Sequence, residues 1–244
     1  MKVLFIGNSH TYFNDMPYIF AYLSAARGVP VQPTMLTRGG ECLKNHASSE
    51  QVLFNLRYGE YDLCVLQEVE SEFPGEEVYR ASVETLLSYA KAAHLPVGLY
   101  ENFAPEGRKQ RQDYLCQTVE GVGQALGLPV AKAGRAFALS QEPYPQIDLY
   151  FTDRRHASPA GSYLVALTLL RFLLGLDVRG LPGRIEHWGH RCWSCRRKPP
   201  PACRKWPWRR RRSVLAAPLA KNAKEQACRK GACTGGNRHE DHRT

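Results

Sequence analysis

The sequence predicts an α/β fold in which a central parallel sheet of five strands is covered by helices on both faces. Two observations point to it. Over the first 180 residues, short apolar runs of strand length alternate with segments of helix length, the signature of βαβ units. The first run ends in Gly7-Asn8, as a fully buried strand should, and the second strand is closed by Gly39-Gly40. A third observation bounds the domain. Residues 1–180 carry 16 Lys/Arg against 19 Asp/Glu, a net of −3, whereas residues 181–244 carry 17 against 4, a net of +13. All four Trp and five of the eight Cys also lie after residue 180. The expected organisation is one globular domain over 1–180 and a basic, disordered tail over 181–244, too poor in aliphatic residues to offset its ordering entropy.

Val3–Ile6 is the first strand, and Pro17 opens a helix that Gly28 stops. Val31–Thr37 is the second strand, followed by a helix over 48–57. Asp62–Gln67 is the third strand and Glu76–His94 its helix. Pro96–Tyr100 is the fourth strand, Arg108–Leu126 a long helix closed by Gly127, and Leu128–Ala131 a short fifth strand. Helices over Gly134–Gln141 and from Pro159 to Leu174 complete the domain. In such a sheet the functional site lies at the carboxyl ends of the strands.

The net charge excludes a nucleic-acid surface on 1–180 and leaves that option to the tail, where Trp206-Pro207-Trp208 precedes four arginines. Cys192-x-x-Cys195 is not followed by ligands at finger spacing, so no metal site is expected. No phosphate-binding G-x-x-x-x-G-K-[ST] loop occurs, and no cofactor is expected. The apolar N-terminal run is too short for a signal-peptide core, and Tyr163 to Leu176 is too short to span a bilayer. A cytoplasmic protein with no membrane partner and with free thiols at Cys42, Cys64 and Cys116 is the expectation.

Two loops carry chemistry. Gly7-Asn8-Ser9-His10-Thr11 places a serine at the exit of the first strand, where it reads either as a nucleophile or as an ordinary turn and N-cap. Asp153-Arg154-Arg155-His156, just before the last helix, spaces a carboxylate and an imidazole so that one can orient the other. Glu68, Glu70 and Glu72 read as a solvated loop.

Together, Gly-Asn-Ser after the first strand and Asp-x-x-His before the last helix resemble the SGNH/GDSL hydrolases, over residues 2 to about 175. More narrowly, F-I-G-N-S-H-T, the G-G-x-x-L-x-x-H run at 39–46, V-L-Q at 65–67 and H-A-S-P-A-G resemble a bacterial branch of that superfamily. The resemblance implies a three-layer, flavodoxin-like sheet and a serine esterase acting on a small-molecule ester with a small acyl group, such as an O-acetyl carbohydrate. It makes Ser9 the nucleophile, His156 the general base and Asp153 its orienting carboxylate. It places the oxyanion donors at the Ser9 and Gly40 backbone N–H groups and at the Gln67 side chain. Gln67 stands where the superfamily has Asn, and Asn8 where it has Asp. His10 and His46 are candidate pocket residues.

Overall fold

The computed structural model describes residues 1–187 and 190–192. Five strands, β1 (Lys2–Gly7), β2 (Gln32–Thr37), β3 (Leu63–Gln67), β4 (Val97–Tyr100) and β5 (Val130–Ala131), form one sheet in the order β2-β1-β3-β4-β5. All four pairings are parallel. The helices are α1 (Ser9–Tyr12), α2 (Met16–Ala25), α3 (Leu43–Ala47), α4 (Glu50–Tyr58), α5 (Glu76–Ala92), α6 (Gln112–Leu126), α7 (Ala133–Gln141) and α8 (Pro159–Leu173). Two 3-10 turns, Phe13–Asp15 and Glu106–Arg111, lead into α2 and α6. The expected helices over 48–57 and from Arg108 therefore begin later, at Glu50 and Gln112. A separate short helix, α3, fills the gap after the glycine pair.

The alternation of side chains along β1 accounts for the three layers. Val3 and Phe5 join the core under α2, α7 and α8 with Phe20, Phe137 and Leu164, while Leu4 and Ile6 join the core under α3 to α6 with Leu56, Leu86 and Val122. Every one of these side chains is buried, at roughly 1.5–3 kcal/mol each for a large aliphatic or aromatic group. The edge strand β2 is different, and Met35 on it is 48% exposed. The packed chain also runs past the boundary expected at residue 180. Val178, Leu181 and Ile185 are buried in the first core, and β6 (Ile185–His187) pairs antiparallel with β7 (His190–Cys192). The Arg run, the Trp pair and most of the tail cysteines lie outside the described residues.

Strand order reverses at β1, which has β2 on one side and β3 on the other. The carboxyl end of β1 is therefore a topological switch point, where open α/β sheets leave a crevice. Ser9 stands two residues past that strand. The last helix closes against the same end, and Gly161 in its first turn makes that approach possible. A Cβ on Gly161 would collide with the Leu149 carbonyl oxygen and lie 2.8 Å from Phe137 Cζ. Gly161→Ala is expected to lower stability by about 1–3 kcal/mol, since a backbone carbonyl cannot move aside as a side chain can. Urea unfolding with an unchanged slope would measure it.

Candidate active site

Ser9 opens α1, and its position is set by Asn8. The Asn8 side-chain oxygen accepts from the His10 backbone N–H at 3.1 Å and caps the helix. Its Nδ2 donates to the Glu41 carbonyl at 3.0 Å. That second bond ties the glycine turn after β2 to the turn after β1, together with Arg38 N to the Gly7 carbonyl at 3.3 Å. An aspartate here would cap equally well but would set a carboxylate oxygen against a carbonyl, a physical reason for Asn at this position. Gly40 lies in that tethered turn at φ +70°, a left-handed conformation that glycine adopts without steric cost.

His156 reaches Ser9 from a hairpin between α7 and α8. Tyr150 pairs antiparallel with Ala157, Phe151 N donates to the His156 carbonyl at 2.8 Å, and Ser158 caps α8 through the Gly161 N–H. Two tethers hold this hairpin over the β1 turn. Asn14 Nδ2 donates to the Ala157 carbonyl at 2.9 Å and to Ser162 Oγ at 2.8 Å. Tyr150 Oη donates to the Ala104 carbonyl at 2.8 Å. Asn14 and Asp15 take positive φ angles of 53° and 56° to make the turn, a conformation these two residue types tolerate better than most.

The result is a continuous hydrogen-bonded chain. Ser9 Oγ lies 2.8 Å from His156 Nε2, and His156 Nδ1 lies 2.6 Å from Asp153 Oδ2. Asp153 Oδ1 also accepts from the Arg155 and His156 backbone N–H groups, each at 3.0 Å. Partial burial alone would raise the Asp153 pKa, but the His156 ring and the two backbone donors outweigh it and bring it to about 2. Phe13 stacks on the His156 ring with centroids 4.4 Å apart and planes 12° from parallel, so the imidazole is held from its face as well as its edges. This arrangement can move a proton from a hydroxyl to an imidazole while a fixed carboxylate compensates the charge.

Two expected site residues do something else. Gln67 is 1% exposed, and its side-chain oxygen accepts from Asn8 N at 2.9 Å and Thr11 Oγ1 at 2.8 Å. Its amide nitrogen donates to the Glu68 carbonyl and to Asn102 Oδ1. Both N–H bonds are engaged inward, so Gln67 is not free to face an oxyanion; it braces the floor of the Ser9 turn. Gly7 makes room for it, because a Cβ there would lie 2.6 Å from the Gln67 side-chain oxygen. His46 is likewise turned inward, with Nε2 2.8 Å from the Gly7 carbonyl, and links α3 to β1 rather than lining a pocket. His10 is buried beside His156, with ring centroids 5.3 Å apart. Burial lowers its pKa against the opposing pull of Glu70.

Glu68 and Glu70 are not solvated; each is 1% exposed. Glu68 Oε1 accepts from Val69 N at 2.7 Å and from Leu43 N, the first N–H of α3, at 3.0 Å. The missed signal was their position at the carboxyl end of a strand buried along its whole length, next to the free amides of a following helix. Cys64 and Cys116 are buried free thiols, and burial holds the Cys116 pKa up at about 12. Among the described residues no group of three or more His, Cys, Asp or Glu could hold a metal ion. No described helix is long and apolar enough to cross a membrane.

No family model and no curated protein sequence matches this chain. Solved structures do match. A DUF4886 family protein from Bacteroides uniformis superposes with a TM-score of 0.60 at 17% identity, covering 78% of this chain and 88% of its own. The acetyl xylan esterase AlAXEase superposes with a TM-score of 0.58 at 14% identity, covering 69% of this chain and 98% of its own. A GDSL-like lipase from Parabacteroides merdae gives 0.56 at 13% identity, covering 70% and 94%. The chain has the three-layer, flavodoxin-like fold of the SGNH/GDSL hydrolases.

Burial raises the Glu68 pKa from 4.5 to about 7 against the two backbone N–H groups that lower it. A folded-state pKa above the unfolded one means the contribution to stability is full below about pH 4.5 and is lost as pH rises through about 7. Glu68→Gln mimics the neutral acid and keeps the acceptor oxygen. It is expected to gain on the parent by roughly 2–4 kcal/mol between about pH 5 and pH 8, read from paired urea titrations.

Proposed function

We propose that this chain hydrolyses carboxylic esters through an acyl-Ser9 intermediate. The observation that carries the proposal is the Ser9–His156–Asp153 hydrogen-bonded chain, assembled from segments 147 residues apart in sequence. His156 Nε2 takes the Ser9 proton as Oγ attacks the ester carbonyl, and Asp153, ionised at any working pH, stabilises the imidazolium. Collapse of the tetrahedral intermediate breaks the bond to the alcohol oxygen, which takes the proton from His156. A water molecule then attacks the acyl-enzyme and gives a proton to His156; collapse breaks the bond from the acyl carbon to Ser9 Oγ, which takes that proton back from His156 as the carboxylic acid leaves. The oxyanion donors are two backbone N–H groups. That of Ser9 is at the first position of a helix and has no partner within it; that of Gly40 is carried by the turn that Asn8 tethers.

Small acyl groups, O-acetyl groups on carbohydrates among them, are the proposed substrates. Support comes from the sequence resemblance and from the similar acetyl xylan esterase. The inward orientation of Gln67 favours a second reading, a non-catalytic binding module, because it leaves the oxyanion one side-chain donor fewer; losing such a donor costs about 10²–10³ in turnover.

A fluorophosphonate separates the two readings. Stoichiometric labelling of Ser9, abolished in Ser9→Ala and His156→Ala, is expected of the esterase, and no labelling of the parent is expected of the binding module. Asp153→Asn should lower kcat by about 10⁴. Initial rates on p-nitrophenyl acetate measure the loss.

A further inference from the structure

Glu70 is a buried carboxylate that the reaction outlined above does not use. It lies three residues past β3, and its side chain is 1% exposed. Its Oε1 accepts from Arg155 Nε at 3.0 Å and lies 3.4 Å from His10 Nε2. Arg155 is the neighbour of His156 in sequence and donates in addition to Ser71 Oγ. Arg111 Nη1 donates to the Ser71 carbonyl at 3.2 Å, so two guanidinium groups converge on the segment that carries Glu70. His10 packs on Phe103 with centroids 4.9 Å apart and lies beside His156, with its Nε2 facing Glu70. Burial of Glu70 would raise its pKa, but His10 and the permanent charge of Arg155 reverse that and lower it.

This half-exposed ion pair is weak evidence for stability, because desolvation of Glu70 offsets its Coulomb energy. What a carboxylate adds here is direction. One oxygen reaches two groups that flank the imidazole, one in the His156 hairpin and one in the helix that carries Ser9. We infer that Glu70 is the positioning residue of this site, fixing the Asp153–His156 hairpin through Arg155 and the His10 ring that His156 packs beside. The inference rests on the Ser9 esterase reading for its kinetics but not for its geometry.

The test uses the full chain and the variants Glu70→Gln, Arg155→Met and their combination. Each single variant is expected to lower kcat for p-nitrophenyl acetate by about 10- to 100-fold with KM changed less than about threefold, the consequence of a misplaced base. Glu70→Gln removes a negative charge and Arg155→Met a positive one, so any electrostatic effect on the reaction is opposite in sign in the two variants. A loss of kcat in both marks positioning rather than electrostatics. The double variant should be no slower than the slower single, since both break one link.

Unchanged kcat in both singles, or losses that multiply in the double, would overturn the inference. Should Glu70→Gln fail to fold by circular dichroism, Arg155→Met decides alone, since its side chain is 45% exposed and carries little of the core. A substrate-free readout is the downfield proton resonance of the His156–Asp153 hydrogen bond, expected to broaden in both singles; if it stays as sharp as in the parent, the inference fails whatever the activity. A parent protein that no fluorophosphonate labels would instead sink the esterase reading and leave the resonance test standing.

Discussion

The 2.8 Å contact between Ser9 Oγ and His156 Nε2 joins the first strand's exit to a hairpin near the end of the domain. Nothing local in either segment can create it. The parallel sheet supplies half of the condition by collecting strand exits at one edge, with β1 at the point where strand order reverses. The tethers supply the other half. Asn14 reaches the hairpin and α8, Tyr150 reaches the exit of β4, and Arg155 reaches the exit of β3. Arg154 adds a two-pronged bond to Glu106 and one to Asp148, all partly exposed, so their value lies in direction more than in energy.

The floor of the site is polar where a doubly covered sheet is normally apolar. Gln67, Asn102, Thr11 and Glu68 are all buried and joined by hydrogen bonds around the carboxyl ends of β1, β3 and β4. Satisfied buried networks are directional and specify one arrangement of the groups above them. Some atoms stay unsatisfied, among them Glu68 Oε2 and Glu101 Oε1, and burial raises both carboxyls to a pKa of about 7. Together with the left-handed Asn14 and Asp15, these are local costs gathered at one end of the sheet, as expected where structure serves chemistry rather than stability.

Much of this was readable from the sequence. Apolar runs separated by helix-length segments locate all five strands to within two residues, although the edge strand β2 is largely exposed. The serine and histidine blocks were legible because their order along the chain matches a known arrangement. The direction of individual polar side chains was not. The sequence makes Gln67 an oxyanion donor, yet it turns inward because Gly7 on the neighbouring strand has no Cβ and Asn8 offers it a backbone N–H. His46, a pocket candidate by sequence, instead reaches the Gly7 carbonyl. Of the acidic run after β3, Glu72 is exposed as its charge suggests, and only three-dimensional neighbours, Leu43 for Glu68 and Arg155 for Glu70, explain the burial of the other two. Phe13 stacking on His156 carried no sequence signal at all.

The most direct test of the account is to catch the covalent intermediate. The protein would be mixed with p-nitrophenyl acetate, quenched in acid within the first turnover and digested for mass spectrometry. One acetyl group is expected, carried on the peptide that contains Ser9 and absent when His156 is replaced by alanine. Acetyl found on lysines or on the N-terminus alone, with the Ser9 peptide unmodified while ester is being consumed, would contradict it.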